Sequence, residues 1–172
     1  MITVPPLRIL GIDPGLRFTG FGVVDAVNRQ AKLVEYGVIT TTSDAPLPER
    51  LKIIHDGVAA VIEKHQPDRM VFEKLVYCKN VSIALLLGQA RAAAILAGAQ
   101  QAMPMDEYSP AEIKQAVVGK GRASKEQVQK MVRLLLSLAE TPEPDHAADA
   151  LAAALTYIHS KPVHDLLQRA RK

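Results

Sequence analysis

Two acidic residues stand where acids are unusual, at the ends of short apolar segments. Asp13 closes the segment ILGID, and Glu73 closes the segment MVFE. A single acid in such a place could merely cap a turn. Two carboxylates on neighbouring strand ends would repel each other and stay partly protonated unless cations held them together. Because carboxylate oxygens are the ligands that Mg²⁺ prefers, these acids predict a metal site.

A third acid lies near the end of the chain, in the segment DHAADALAAA. Asp145, His146 and Asp149 come before a face of alanine and leucine, and helical spacing places Asp149 beside either of the other two. A face of small residues lets a helix lie close to a sheet, which would carry Asp149 towards the first two acids. Such a cluster suits phosphodiester hydrolysis, in which two metal ions about 4 Å apart activate water and stabilise the leaving oxygen.

Basic residues are concentrated between positions 114 and 133, where Glu126 is the one acid. They are Lys114, Lys120, Arg122, Lys125, Lys130 and Arg133. The net charge of +3 and a sequence pI near 9.0 add a weak preference for a polyanionic partner. These residues could face phosphates, but a solvated helix face would carry the same charges.

The elements that must position these residues can be predicted from hydrophobic periodicity. Three strands joined by turns are expected at Leu7–Asp13, Thr19–Ala26 and Leu33–Thr42. The turn Asp13-Pro14-Gly15 would hold Asp13 at a strand end. Further strands are expected at Arg69–Glu73 and Met103–Tyr108.

Helical patterns separate and follow the later strands. They cover Pro48–His65, Asn80–Gln101, a segment capped by Ser109 with Glu112 three residues later, Ser124–Ala139 and Asp145–His159. In the last helix we expect Asp145 to be the N-cap. The pattern predicts one α/β domain over residues 1–160, with a mixed sheet, an N-terminal antiparallel meander and helices on both faces. A basic tail follows at 161–172.

The composition is typical of a globular protein with one domain. The chain has 172 residues, 48% of them hydrophobic, and a domain of this size buries roughly 70% of its unfolded surface. Cys78 is the only cysteine, which excludes an intramolecular disulfide. The start, MITVPPLRILGID, fits neither a signal peptide nor a membrane span. We therefore expect a cytoplasmic protein with no membrane partner.

The motifs, taken together and in order, resemble those of one enzyme family. They are GIDPG followed by TGFGVV, VFE with KN after it, LGQARAAA, IKQAVVG and AADALAAA. From about residue 7 to 160 the chain is similar to bacterial RuvC-type Holliday-junction resolvases. The resemblance implies a ribonuclease H-like fold, a homodimer, and paired symmetric nicks across a four-way DNA junction. It also implies two Mg²⁺ ions per subunit, replaceable by Mn²⁺, and cooperation with a junction-binding subunit and a branch-migration helicase of the RuvA and RuvB type.

The resemblance assigns roles to individual residues. Asp13 matches the family's first-strand acid, Glu73 its second acid, and Asp149 the last acid of the helix motif. The fourth metal-binding position falls on His146, where some members have an acid and others a histidine. Lys114 and Lys125 match basic positions near the active centre.

Other assignments depend on weaker matches. The family often has a phenylalanine at the third position after the second acid, where Val76 stands here, and the adjacent Tyr77 could stack on a base in its place. Lys120 and Arg122, in the basic loop VGKGR, are further candidates for DNA contact. The helix predicted at Asn80–Gln101 has almost no polar face, so it is either buried inside its own domain or paired with a partner, and we expect it to form the dimer contact.

Three other functions remain open from the sequence. A glycine-rich segment after an acid also occurs in nucleotide-binding proteins of actin-like fold, but these need two lobes, and 172 residues supply one. The histidine at position 146 would also suit a non-catalytic DNA-binding module. An acidic cluster by itself does not distinguish DNA from RNA or an RNA/DNA hybrid.

Overall fold

A computed structural model describes residues 6–27, 30–75 and 80–160 of the chain. Its strands are β1 (Leu7–Asp13), β2 (Phe18–Val27), β3 (Gln30–Thr40), β4 (Arg69–Glu73) and β5 (Met105–Tyr108). Its helices are α1 (Leu47–His65), α2 (Val81–Ala99), α3 (Pro110–Val118), α4 (Lys125–Leu135) and α5 (Asp145–Ser160). Every strand and helix predicted from the sequence is present.

The strands form one five-stranded sheet in the order β3-β2-β1-β4-β5. β1, β2 and β3 pair antiparallel, whereas β4 pairs parallel with both β1 and β5. The sheet is therefore mixed and begins with an antiparallel meander, as predicted. Parallel pairing places the C-terminal ends of β1 and β4 at the same edge of the sheet, because Ile12 pairs with Phe72.

Helices cover both faces of the sheet, and each face has its own apolar core. Leu10, Ile12 and Phe72 face α1 and α2. Ile9 and Val71 face the other side, where α3, α4 and α5 pack. Successive side chains of a strand point to opposite faces. Asp13, four residues after Ile9, and Glu73, two residues after Val71, therefore point to the face that carries α5.

Helix α5 lies unusually close to β1 and β2, because glycines face it. A Cβ atom at Gly11 would overlap the carbonyl oxygen of Ala150, and one at Gly20 would overlap the carbonyl oxygen of His146. Gly20 is also the residue that pairs with Asp13 across the two strands. The predicted close packing of the alanine-rich helix is confirmed, and it brings the start of α5 against the acid that ends β1.

Several predicted bounds differ from the structure; β5, for example, begins at Met105 and not at Met103, and α2 ends at Ala99 and not at Gln101. β3 begins at Gln30, because its pairing with β2 extends to the Val27–Gln30 pair. α4 ends at Leu135, before Ser137 adopts the left-handed conformation, with φ of 53°, that ends many helices. α5 begins at Asp145 itself, so this residue lies in the first turn and is not the N-cap that we expected. Tyr77 and the basic tail lie outside the described residues, and the division at residue 160 stays a prediction.

Helix α2 is the one described helix that is long and apolar enough to cross a membrane, by length and composition alone. Its mean hydropathy is 1.6 over a window that is 28% buried. The core helices of soluble proteins pass the same test, and Ala90, Ala94 and Ala97 of α2 pack into the core beside Met70 and Phe72. No residue of its N-terminal half, from Val81 to Gln89, is buried.

The close approach of α5 predicts a large effect of one added methyl group. Gly11→Ala should lower the free energy of unfolding by about 1–3 kcal/mol or more, where 1–3 kcal/mol is the usual range for overpacked cores. The effect should be large because the added methyl would meet the backbone of α5 and not a movable side chain. Gly88→Ala, in α2, is the control: nothing lies within 4 Å of the added methyl. It should raise stability by up to about 1 kcal/mol through helix propensity. Chemical denaturation measures both, and equal stabilities would contradict the packing described here.

Candidate active site

The candidate site forms where three elements converge. Asp13 ends β1, Glu73 ends the neighbouring parallel strand β4, and the first turns of α5 carry His146 and Asp149. The Asp13 and Asp149 side chains are largely buried, with 23% and 26% of their surfaces exposed. The structure thus brings together the four residues predicted to bind metal.

His146 contacts Asp13 directly. Its Nδ1 atom lies 2.6 Å from Oδ2 of Asp13, and its ring lies 5.8 Å from that of Phe18, between centroids. The hydrogen bond to Asp13 raises the pKa of His146, and burial of the ring opposes that shift. Of the two α5 residues considered from the sequence, His146 is therefore the one beside the first-strand acid.

Lys125, the first residue of α4, pairs with two acids of α5. Its Nζ atom lies 3.0 Å from Oδ2 of Asp149 and 3.2 Å from Oδ2 of Asp145. Although burial opposes it, contact with these two carboxylates raises the pKa of Lys125. The same contact lowers the pKa of Asp145, which is mostly exposed. Asp145 therefore faces Lys125 of α4.

Burial disfavours the charged forms of two acids of the site, Glu73 and Asp149. Burial is the largest cause that raises the pKa of Glu73, and the negative charges of Asp13 and Asp149 raise it further. Burial is also the largest cause that raises the pKa of Asp149, and contact with Lys125 opposes the shift. The folded protein thus holds two acids in a place that favours their neutral forms or a bound cation.

Two lysines line a cavity beside these acids. The cavity has a volume of about 280 Å³, and Glu73, Asp149, Lys114 and Lys125 contribute to its wall. Lys120 and Arg122 lie on the exposed loop between α3 and α4 and do not line this cavity. Of the four basic residues assigned to contact with DNA, two therefore lie beside the acids and two lie on a neighbouring loop.

The donor set suits Mg²⁺ or Mn²⁺ in chemistry, since it offers carboxylate oxygens and one imidazole. Within the described residues, however, no three acidic, histidine or cysteine side chains stand ready around one point. The contacts already described explain this. His146 is hydrogen-bonded to Asp13, and Lys125 pairs with Asp149. Both carboxylates that a metal ion would use are therefore in contact with another side chain.

One residue of the site was not predicted from the sequence. Arg91, in α2, donates from Nη1 to the main-chain oxygen of Glu73, at 2.8 Å. In the sequence it is the one charged residue of an apolar helix, and it lies within the motif LGQARAAA.

Comparisons with known proteins agree with this arrangement. The family described as crossover junction endodeoxyribonuclease RuvC matches residues 9–157. The RuvC protein of Dehalococcoides mccartyi strain BAV1 is 49% identical, over 90% of this chain and 92% of that protein. That of Syntrophotalea carbinolica is 48% identical, over 94% and 99%. A solved structure of T. thermophilus RuvC in complex with Holliday junction substrate has a TM-score of 0.85 and 36% identity, over 90% of this chain and 94% of that chain.

A mixed sheet with acids on two adjacent strand ends, closed by an acidic helix, defines a nuclease of ribonuclease H-like fold. Within that class, the chain belongs to the RuvC family of crossover junction endodeoxyribonucleases. It is thus a hydrolase that cleaves DNA, in a family of metal-dependent enzymes.

The raised pKa of Glu73 predicts that this acid destabilises the metal-free protein. The folded state holds the Glu73 proton more tightly than the unfolded chain does, so stability falls as pH rises through the window above the ordinary pKa. Glu73→Gln should therefore raise the melting temperature at pH 7 in the presence of a chelator. The gain should shrink as pH falls towards the ordinary range of glutamic acid.

Glu112→Gln provides a control of opposite sign. The Ser109 backbone N–H donates to Glu112 and lowers its pKa, so removing this charge should lower the melting temperature at pH 7. A Glu73→Gln variant that melts below the wild type at pH 7 would contradict the electrostatic description of the site.

Proposed function

We propose that the chain resolves four-way DNA junctions by paired symmetric nicks, with Asp13, Glu73, His146 and Asp149 holding two Mg²⁺ ions per subunit. The observation that carries the proposal is the convergence of these four residues beside a cavity with two lysines. The family's name and the junction substrate bound in the T. thermophilus complex support the choice of substrate.

The chemistry follows from the donor set. When bound, Mg²⁺ supplies an activated water and neutralises charge on the leaving oxygen, and Mn²⁺ can replace it. Asp13 and Glu73 offer carboxylates from one edge of the sheet. Asp149 offers a third from α5, and His146 completes the set next to Asp13. Lys125 releases Asp149 on this proposal and, with Lys114, faces the phosphate that is cut.

DNA contact outside the cavity is assigned to the neighbouring basic loop. Lys120 and Arg122 are exposed there, which suits contact with backbone phosphates. We also assign Tyr77 to stacking on a base near the junction point, in place of the family's phenylalanine. Since phosphate contacts release counterions, binding should weaken as salt rises.

A homodimer would place two such sites on one junction. The N-terminal half of α2 exposes large apolar side chains around much of its circumference, among them Val81, Ile83, Leu85 and Leu86. Exposed apolar surface of this kind marks an association surface. A two-fold axis through it relates two active sites and so matches nicks on two related strands.

The domain bounds, the cellular location and the protein partners are further parts of the proposal. We propose that the nuclease domain spans residues 1–160, with a basic tail at 161–172 that adds contacts to DNA. The enzyme acts on recombining DNA in the cytoplasm, with a junction-binding subunit and a branch-migration helicase of the RuvA and RuvB type. The proposal includes no membrane partner.

One observation favours a second function, a DNA-binding module without catalysis. No three candidate ligands are ready around one point in the described residues, and Lys125 pairs with Asp149. Metal-dependent nicking of a synthetic four-way junction separates the two. We favour the enzyme because the relatives that cover most of the chain are named endonucleases, and because a binding module has no need for buried, destabilising carboxylates.

Replacement of the first-strand acid tests the catalytic proposal. Asp13→Asn should abolish cleavage and preserve junction binding, because the amide keeps the shape of the side chain but not the charge that attracts Mg²⁺. Cleavage of a synthetic junction, a duplex and an RNA/DNA hybrid should be measured beside binding in a chelator. An Asp13→Asn enzyme that cuts at near the wild-type rate would place the active site elsewhere.

His146 and Asp145 supply matched variants for the same assay. His146→Asp should retain cleavage, since a carboxylate can take the same metal position, and His146→Ala should lose most of it. Asp145→Ser should keep the rate. An inactive Asp145→Ser beside an active His146→Ala would transfer the fourth ligand to Asp145.

The dimer proposal predicts that a charge on the exposed face of α2 separates the subunits. Leu86→Glu should sediment as a monomer that still binds junction DNA but no longer makes paired nicks. Leu134→Glu is the control, because Leu134 is exposed on α4, far along the chain from α2. It should stay dimeric, and a dimeric Leu86→Glu protein would move the interface elsewhere.

A further inference from the structure

Arg91 is a buried charge in a helix that is otherwise apolar. It is 7% exposed, and it lies in the middle of α2. A buried guanidinium must have its donors satisfied, since an unpaired charge inside a protein is strongly unfavourable. The partners of Arg91 therefore indicate why the helix carries it.

All three described partners of Arg91 lie at the end of the sheet where Glu73 stands. Nη1 donates to the main-chain oxygen of Glu73 at 2.8 Å, and Nη2 donates to Oε1 of Glu107 in β5 at 2.5 Å. The guanidinium carbon also lies 4.9 Å from the ring centroid of Phe72, over its face. One side chain thus joins the ends of two strands.

The main-chain oxygen of Glu73 lies where β4 has a paired neighbour on one side only. The pairing of β4 with β1 ends at Phe72, whereas its pairing with β5 continues to the Glu73–Tyr108 pair. The N–H of the same peptide group, that of Lys74, donates to the main-chain oxygen of Tyr108 at 2.7 Å. Arg91 and Tyr108 therefore hold this one peptide group from its two ends.

Arg91 contacts the Glu73 peptide group from the face of the sheet opposite to the Glu73 side chain. Phe72 faces α1 and α2, so the Glu73 side chain points to the opposite face, towards α5. The charges that shift the pKa of Glu73 are those of Asp13, Asp149, Lys114 and Lys125. Arg91 acts on the backbone that carries the carboxylate, and not as a counter-charge to it.

We infer that Arg91 is a positioning residue for the nuclease reaction: it fixes the Glu73 peptide from α2 and so sets the place of the Glu73 carboxylate. The inference rests on the role proposed for Glu73. A displacement of about 1 Å at a reacting group can reduce a rate by about 100-fold, so a backbone contact of this kind has a large effect on catalysis.

Arg69 offers a matched control within the same strand. It begins β4, pairs with Asp106 of β5 at 2.5 Å and lies 5.1 Å from the ring centroid of Tyr157. Like Arg91, it is a largely buried arginine with a carboxylate partner on β5 and an aromatic ring. Unlike Arg91, it lies at the end of β4 remote from Glu73.

The test compares Arg91→Lys with Arg69→Lys, because lysine keeps the charge but not the fork that reaches two acceptors. Arg91→Lys should bind junction DNA within about two-fold of the wild type, yet cleave about 10- to 100-fold more slowly in single turnover. It should also need more Mg²⁺ for half-maximal cleavage and show a smaller Mg²⁺-induced rise in melting temperature. Arg69→Lys should lower the melting temperature while its folded enzyme keeps the wild-type rate and Mg²⁺ dependence.

Glu73→Gln separates failure of this inference from failure of the proposed site. An active Glu73→Gln enzyme overturns the proposed active site. An inactive Glu73→Gln together with a wild-type Arg91→Lys rate and Mg²⁺ dependence overturns only the role of Arg91. Equal losses of cleavage rate in Arg91→Lys and Arg69→Lys would also overturn it, because they would show a purely structural role for Arg91. Added to Glu73→Gln, Arg91→Lys should cause no further loss of residual cleavage.

If Arg91→Lys fails to fold, Glu107→Ala is the second variant. It removes the carboxylate that orients the guanidinium, at a position that is partly exposed, and leaves the Glu73 contact possible. It should show an intermediate loss of rate and the same shift in Mg²⁺ dependence. An unchanged Mg²⁺ dependence would overturn the inference.

Discussion

The contact on which the site depends is the approach of the α5 backbone to the glycines of β1 and β2. Gly11 and Gly20 leave no room for a side chain beneath Ala150 and His146. Because the contact is between backbones, it sets the height of the helix above the sheet more strictly than interlocking side chains could. The alanines of α5 extend the same close approach along the helix. A helix held farther away would not bring His146 within hydrogen-bonding distance of Asp13.

The same approach brings acidic side chains from β1, β4 and α5 together, and two basic side chains of the fold pair with two of them. Burial disfavours the charged forms of Glu73 and Asp149. Lys125 pairs with Asp149, and His146 pairs with Asp13. These contacts stabilise the metal-free protein and occupy the positions that metal ions require. Activity and stability therefore make opposite demands on one group of side chains, as is common where enzymes hold perturbed acids.

The two faces of the sheet have different roles, and residues from both faces act on Glu73. One face presents the acids and lysines to the cavity, while the other packs α1 and α2 into an apolar core. Arg91 reaches from α2 to the Glu73 backbone, so the helix with the exposed apolar surface also supports an acid of the site. A subunit contact on α2 would thereby lie on an element in direct contact with the catalytic strand.

The sequence by itself determined the order and type of the elements and the acids at the strand ends, because periodicity, turn chemistry and caps such as Ser109 are local in the chain. It also identified the alanine face of α5 and the apolar character of α2. Only the tertiary structure decided the partners. The contact of His146 with Asp13 joins residues 133 positions apart. Lys125 pairs with Asp145, and Arg91 donates to the main-chain oxygen of Glu73, a partner that no local pattern predicts. Such contacts depend on strand register and on the height of a helix above a sheet, which are properties of the packed chain and not of any one segment.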